Sequence, residues 1–343
     1  MAKTNPGRFF EDYSVGQVIQ HAVPRTLSGG ERAMYHALYP ARHALYSSDQ
    51  FAQDCGLPAS PLDDLIAFHT VFGKTVPDVS LNAVANLGYA EGRFLRPVYE
   101  GDTLRSESEV IGLKQNSNGK SGVVYVRTRG LNQRGEEVLS YVRWVMVRKR
   151  DLDAPAPETT IPDLAKTVPA SDLVIPEGLD FTNYDFTLAG EAHRFGDYEV
   201  GEIIDHVDGV TIEEAEHMQA TRLWQNTAKV HFDATFRPDG QRLIYGGHVI
   251  SMARALSFNG LANAQMIVGL NGGAHANPCF SGKTVKAWSE VLDKAETAAP
   301  GVGAIRLRLV ATDGGTPGAL KGEDGKYLPE VLLDLDYWAL MPV

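Results

Sequence analysis

Two stretches of the chain are apolar enough to predict buried helices, Leu62 to Val71 and His248 to Leu256. Each is followed by segments rich in β-branched residues that predict strands. In Gly122 to Thr128, alternation places Val124, Val126 and Thr128 on one face. Tyr141 to Val147 is apolar at every position except Arg143, the pattern of a strand covered on both faces. Ile305 to Val310 and Val331 to Tyr337 predict two more strands. Ahead of each apolar helix come a Val-Gly turn (Val15-Gly16, Val200-Gly201), a strand (Val18 to Pro24, Ile203 to Val210) and a first helix. Ser28 and Thr211 are the expected caps of those first helices. Ser28-Gly29-Gly30-Glu31 and Thr211-Ile212-Glu213-Glu214 both have capping-box spacing.

This order of elements occurs twice because the sequence does. Arg8-Phe9-Phe10-Glu11-Asp12-Tyr13-Ser14-Val15-Gly16 returns as Arg194-Phe195-Gly196-Asp197-Tyr198-Glu199-Val200-Gly201, with Asp12 and Gly16 matching Asp197 and Gly201 at one constant offset. The same offset carries Asn86-Leu87-Gly88 onto Asn271-Gly272-Gly273. Between the copies, residues 151 to 187 contain Pro155, Pro157, Pro162, Pro169 and Pro176, which argue for a linker rather than a long helix or a central strand. The expected units are 1–150 and 188–343. One apolar helix followed by a run of antiparallel strands supports an α+β unit. Two such units could pair their sheets edge to edge and so hide exposed edges.

Composition narrows the function. A length of 343 residues suits two domains with their own cores. The net charge of −11, with basic residues scattered, argues against nucleic acid as a partner. Arg148-Lys149-Arg150 is the exception, and it reads as a solvated strand end. Any anionic ligand must therefore be held by local cations against the overall field. Cys55 and Cys279 are too few for a disulfide framework and read as small buried residues. No apolar run approaches secretory or membrane-spanning length, so the expectation is a cytoplasmic protein with no membrane contact. No metal-ligand cluster, phosphate loop or nucleotide fingerprint stands out. Gly269-Leu270-Asn271-Gly272-Gly273 lacks dinucleotide-binding spacing and reads as a turn between strands.

The copies part company just before each apolar helix. The second reads Leu223-Trp224-Gln225-Asn226-Thr227-Ala228-Lys229-Val230-His231-Phe232-Asp233. It resembles the MaoC-type (R)-specific enoyl-CoA hydratases, whose loop runs Gly-Asp-x-Asn-Pro-x-His and then x-Asp. His231 falls on that family's catalytic histidine, Asn226 on its aspartate, Gln225 on its glycine, Ala228 on its asparagine and Lys229 on its proline. In the first copy Ala41 replaces the aspartate and Tyr46 the histidine. The first half is therefore expected to shape a cavity, with Tyr46 on it, and the second to hold the active site. Three longer stretches, Pro61 to Asp78, Asn82 to Tyr89 and Tyr141 to Arg150, resemble a narrower group, the mesaconyl-CoA hydratases.

The resemblance implies a double hot-dog fold and the reversible hydration of mesaconyl-CoA to β-methylmalyl-CoA, in central carbon assimilation by the ethylmalonyl-CoA or 3-hydroxypropionate route. It implies no metal or redox cofactor, CoA being part of the substrate, and a homo-oligomer as the expected assembly. The residues support this chemistry in their own right. Adding water to an enoyl thioester needs a base near the β-carbon, and a histidine titrates in the right range. Asn226 could hold the water but cannot readily exchange a proton, which leaves the acid to Asp233, Asp239 or water. Gly246-Gly247, where the first copy has Pro61-Leu62, would offer backbone N–H groups to a developing enolate at a helix start. Arg222, Lys229, Arg237 and Arg254 are the candidate cations for the substrate's free carboxylate, and His43, His69 and His248 candidate cavity residues. A thioesterase or a non-catalytic acyl-CoA binding protein would use the same scaffold.

Overall fold

The computed structural model describes residues 3–343. The first half contains β1 (Val18–Thr26), α1 (Gly29–Leu38), α2 (Ala44–Ser47), α3 (Asp49–Asp54), α4 (Asp64–Thr75), β2 (Ala83–Phe94), β3 (Thr103–Gln115), β4 (Ser121–Leu131) and β5 (Glu137–Arg148). After the short α5 (Phe186–Ala189) the second half repeats the order. It has β6 (Ile203–Thr211), α6 (Glu214–Leu223), α7 (Lys229–Phe232), α8 (Gly246–Leu256), α9 (Phe258–Leu261), β7 (Ile267–His275), β8 (Thr284–Glu296), β9 (Val302–Asp313) and β10 (Val331–Pro342). β6, α6 and α7 begin and end at the positions that the sequence offset assigns from β1, α1 and α2.

All ten strands join one antiparallel sheet in the order β1-β3-β4-β5-β2-β7-β10-β9-β8-β6. The seam between the halves is the β2–β7 pair, with Tyr89 opposite Gly273 and Arg93 opposite Gly269. This corrects the reading of Gly269 to Gly273 as a turn: the run lies inside β7. Its glycines serve close packing, since a Cβ on Gly273 would come within 2.9 Å of the Leu335 side chain and 3.0 Å of Tyr89. The half of β5 that read as doubly covered is indeed mostly buried, Arg143 included.

The sheet wraps α4 and α8. Every residue of α4 is buried, and so is α8 from Gly247 to Leu256. A helix apolar on all sides has no solvent face and must sit inside. The Asp63 carboxylate caps α4 by accepting the Leu65 N–H at 2.9 Å. The two helices meet where His69 Nε2 and Ser251 Oγ lie 2.7 Å apart and the rings of Phe72 and Tyr245 stand 5.9 Å centre to centre. One core therefore spans both halves, drawing Leu65, Phe68 and Phe72 together with Val249, Met252 and Leu256.

Ser28 caps α1, its Oγ accepting Gly30 N–H while Glu31 accepts Ser28 N–H at 2.8 Å. Thr211 does not cap α6. It ends β6, its hydroxyl is taken up by Thr284 Oγ1 at 2.8 Å, and Glu213 occupies the cap without a side-chain bond. The basic triplet is also less solvated than its composition suggests. Lys149 is buried and donates to the Ala154 carbonyl at 2.6 Å, pinning the start of the linker, while Arg150 pairs with Asp12 at 2.9 Å. Further along, the linker bridges Thr160 to Leu113 of β3, and Val168 N–H donates to Asn271 Oδ1 of β7 at 2.7 Å. Both cysteines are free and buried, and burial pushes both thiols up to about 12.

A close contact between the halves sits under the loop that the sequence singled out. Gly73 of α4 lies so close to the chain at Trp224 and Gln225 that a Cβ there would overlap the Trp224 carbonyl oxygen. Gly73→Ala should therefore destabilise the fold by roughly 2–3 kcal/mol in denaturant titration. Gly196→Ala, where a Cβ meets nothing within 4 Å, should stay within about 0.5 kcal/mol of the parent.

Candidate active site

A cavity of about 430 Å³ opens between the two halves. The first half supplies Phe72 from α4 and Val76 just after it, Asn82 to Asn86 and Tyr89 from β2 and its approach, and Arg143 and Val145 from β5. The second supplies Asn226 and His231, then Tyr245, Gly246 and Val249 at the head of α8, and His275 with Cys279 beyond β7. Among the described residues, no Asp or Glu lines it. Neither half has the whole wall.

The loop before α7 is held by its backbone. Gln225 has φ +56°, the left-handed conformation that glycine adopts most cheaply, and it stands where the hydratase motif has its glycine. Asn226 is buried beside it, its N–H donating to the Thr221 carbonyl at 2.9 Å and its Oδ1 accepting Ala228 N–H at 3.3 Å. The amide NH2 is thus the end free to donate to a ligand. On α7, His231 donates from Nδ1 to the Leu243 carbonyl at 2.7 Å. A carbonyl can only accept, so Nδ1 carries the proton and Nε2 of the neutral ring has its lone pair free. Burial holds this imidazole below its usual pKa, partly opposed by the Leu243 bond.

Around His231 stand other rings that no sequence pattern selects. Tyr245 lies 6.0 Å away between centroids, with its hydroxyl 3.1 Å from His69 Nδ1. Its backbone N–H donates to His217 Nε2 at 2.9 Å, which fixes the entry into α8. His275 packs against the Cα of Gly246, leaving no room for a Cβ, and its Nε2 lies 3.1 Å from the Tyr89 hydroxyl across the seam. Burial, and secondarily His231, pushes His275 down to about 4. The cluster is neutral at neutral pH, because each added proton would be desolvated.

The candidate residues fall into two groups. His231, Asn226, Gly246 and Lys229 meet at the cavity. Gly247 is one step behind, where a Cβ would overlap the Tyr245 ring. The N–H groups of Gly246 and Gly247 belong to the first turn of α8 and have no intrahelical acceptor. Arg222 is exposed and Arg237 pairs with Asp239 at 2.6 Å, neither lining the cavity. Asp233 caps Thr235 and is likewise outside. Arg254 is a correction of substance. It is buried in the core, where Nη1 donates to His43 Nε2 at 2.7 Å and Nη2 to the Ala264 and Gln265 carbonyls, so it is fully engaged away from the cavity. Tyr46 is placed elsewhere too, its hydroxyl bonded to the buried Asp64 carboxylate. His43, His69 and His248 are core groups that line no part of it. Among the described residues, no cluster of three or more His, Cys, Asp or Glu could hold a metal ion, and no helix is long and apolar enough to cross a membrane.

Residues 1–322 match the family model for mesaconyl-CoA hydratase. The chain belongs to the mesaconyl-CoA hydratase family. It is 80% identical over 341 residues to the mesaconyl-CoA hydratase of Cereibacter sphaeroides, covering 99% of each chain. It is 58% identical over 349 residues to the β-methylmalyl-CoA dehydratase of Chloroflexus aurantiacus, again covering 99% of each. Among solved structures, a MaoC-domain dehydratase from Chloroflexus aurantiacus superposes with a TM-score of 0.97 at 57% identity, over 100% of this chain and 99% of that one. Rv0216 of Mycobacterium tuberculosis, a double hot-dog protein, aligns over 98% of each chain with a TM-score of 0.74 at 24% identity and shows the fold alone. The ten-stranded sheet around α4 and α8 is that double hot-dog.

The geometry makes a spectroscopic prediction. At pH 7, nitrogen NMR of labelled protein should show His231 as the neutral Nδ1-protonated tautomer, with its midpoint below 6.5. A midpoint above 6.5 would contradict the desolvated position described here.

Proposed function

We propose that this chain catalyses the reversible hydration of mesaconyl-CoA to β-methylmalyl-CoA, with His231 as its base. Family membership over nearly the full length supports the reaction. The observation that carries the site is the free Nε2 of His231 on a cavity wall shared by both halves. Asn226 donates its amide to the attacking water, and Nε2 takes a proton from that water as the oxygen bonds to the β-carbon. Electrons pass to the thioester carbonyl, where the Gly246 and Gly247 N–H groups at the start of α8 steady the enolate. The resulting imidazolium returns its proton to the α-carbon on the same face. No carboxylate lines the cavity, so one histidine serves both transfers.

Around this centre, exposed Lys229 and Arg148 at the cavity suit the phosphates of CoA. The reaction as proposed uses no metal or redox cofactor. A role in central carbon assimilation, through the ethylmalonyl-CoA or 3-hydroxypropionate route in the cytoplasm, belongs to the same proposal. So does self-association: the sheet ends at β1 and β6, which expose Val18, Val23, Ile203 and Val207.

The deciding assay follows the loss of mesaconyl-CoA absorbance and identifies the product. Hydroxyacyl-CoA formation supports the reading, whereas free CoA thiol without it would mean thioester cleavage. His231→Ala should lower kcat by at least about 10³-fold with the fold intact, and near-normal turnover would refute the base. Asn226→Ala should cost about 10-fold or more. The acid limb of kcat/KM should fall below pH 6.5, since the base works only when neutral and burial depresses its pKa. Activity is thus full above the folded pKa and lost as pH drops through it. Asn226→Asp tests the one-histidine scheme: a large gain would show that an acid is missing.

A further inference from the structure

We propose that Arg143, assisted by Asn86, is the site that binds the free carboxylate of the acyl group and so sets the choice of substrate. This rests on the hydratase reading for the identity of the ligand, though not for the existence of the site.

Arg143 is the one charged residue in the apolar core of β5 and is completely buried. One nitrogen is anchored: Nη2 donates to Thr75 Oγ1 at 2.7 Å, and that hydroxyl in turn donates to the Phe72 carbonyl. The guanidinium lies over the Phe72 ring, 4.4 Å from its centre. The other two nitrogens, Nε and Nη1, have no hydrogen-bond partner. Arg143 lines the cavity, where no Asp or Glu is present to balance it. Both amide atoms of Asn86 on the same wall are also unpartnered. A guanidinium cannot shed its charge, so burial without an anion carries a heavy desolvation cost that a ligand of opposite charge would offset.

Position selects which anion. Lys229 and Arg148 at the cavity are exposed, as the phosphates of a CoA require, whereas Arg143 is shut away from solvent. Packed rings connect it to the reacting region: Phe72 beneath its guanidinium packs on Tyr245, which packs on His231. In mesaconyl-CoA the carboxylate is bonded to the very carbon that receives the hydroxyl. Holding it at Arg143 therefore fixes that carbon within the cavity that His231 also lines, which makes Arg143 a specificity and positioning residue.

The test compares two unreactive thioesters, succinyl-CoA with a terminal carboxylate and butyryl-CoA with a methyl in its place, by calorimetry on wild type, Arg143→Gln and Arg143→Lys. Wild type should bind succinyl-CoA at least about 30-fold more tightly, Arg143→Gln should erase that difference, and Arg143→Lys should restore part of it. In turnover, KM for mesaconyl-CoA should rise far more than kcat falls. An unchanged preference in Arg143→Gln overturns the proposal; should that chain fail to fold, an unchanged preference in Asn86→Leu does so. A wild type that shows the binding preference but does not hydrate mesaconyl-CoA would overturn the hydratase reading and leave the carboxylate site standing.

Discussion

The pairing of β2 with β7 is the constraint on which the rest depends. It turns two short sheets into one and removes an edge from each. It also sets α4 and α8 side by side, and the space left between their ends becomes the cavity. Tyr89 can reach His275, and Phe72 can reach Tyr245, only because this seam holds its register. The close approach of Gly73 to Trp224 ties the same seam to the loop carrying Asn226.

Duplication supplied two equivalent places for a site, and only one is open. At the position matching His231, Tyr46 donates to Asp64, whose Oδ2 also accepts Ile267 N–H at 2.7 Å. Burial raises Asp64 to about 7 and Asp63 to about 6, the direction expected of carboxylates cut off from water. Arg254 fills the remaining space with His43, to which its Nη1 donates. The polar groups of this second place satisfy one another and hold the halves together. Those of the open one do not: both amide atoms of Asn86 and two nitrogens of Arg143 lack partners. Unsatisfied buried polar groups are costly, and those of Asn86 and Arg143 on the cavity wall mark where stability gives way to binding.

Much of the molecule was legible in order of sequence. The apolar runs located both central helices, since a helix without a polar face must be buried. Repetition of Asp12 to Gly16 at Asp197 to Gly201 announced two copies, and the contrast of Tyr46 with His231 indicated which copy kept a titratable base. Local composition misled where a side chain's partner lay far along the chain. Arg254 looked available beside an active-site helix, but its acceptors come from α2's approach and the turn before β7. Thr211 looked like a cap until β8 claimed its hydroxyl.

By itself, then, the sequence determined what is set by short range: the period of each element, the duplication, and a histidine on a loop of recognisable spacing. Arg143 was visible there only as a polar interruption in a strand, and His275 not at all. Tertiary structure decided that these residues, from β5 and the end of β7, share a cavity with His231. The reason is physical. Burial, ring orientation and the lack of a counter-ion depend on neighbours brought in from the other half of the chain, and no local pattern records them.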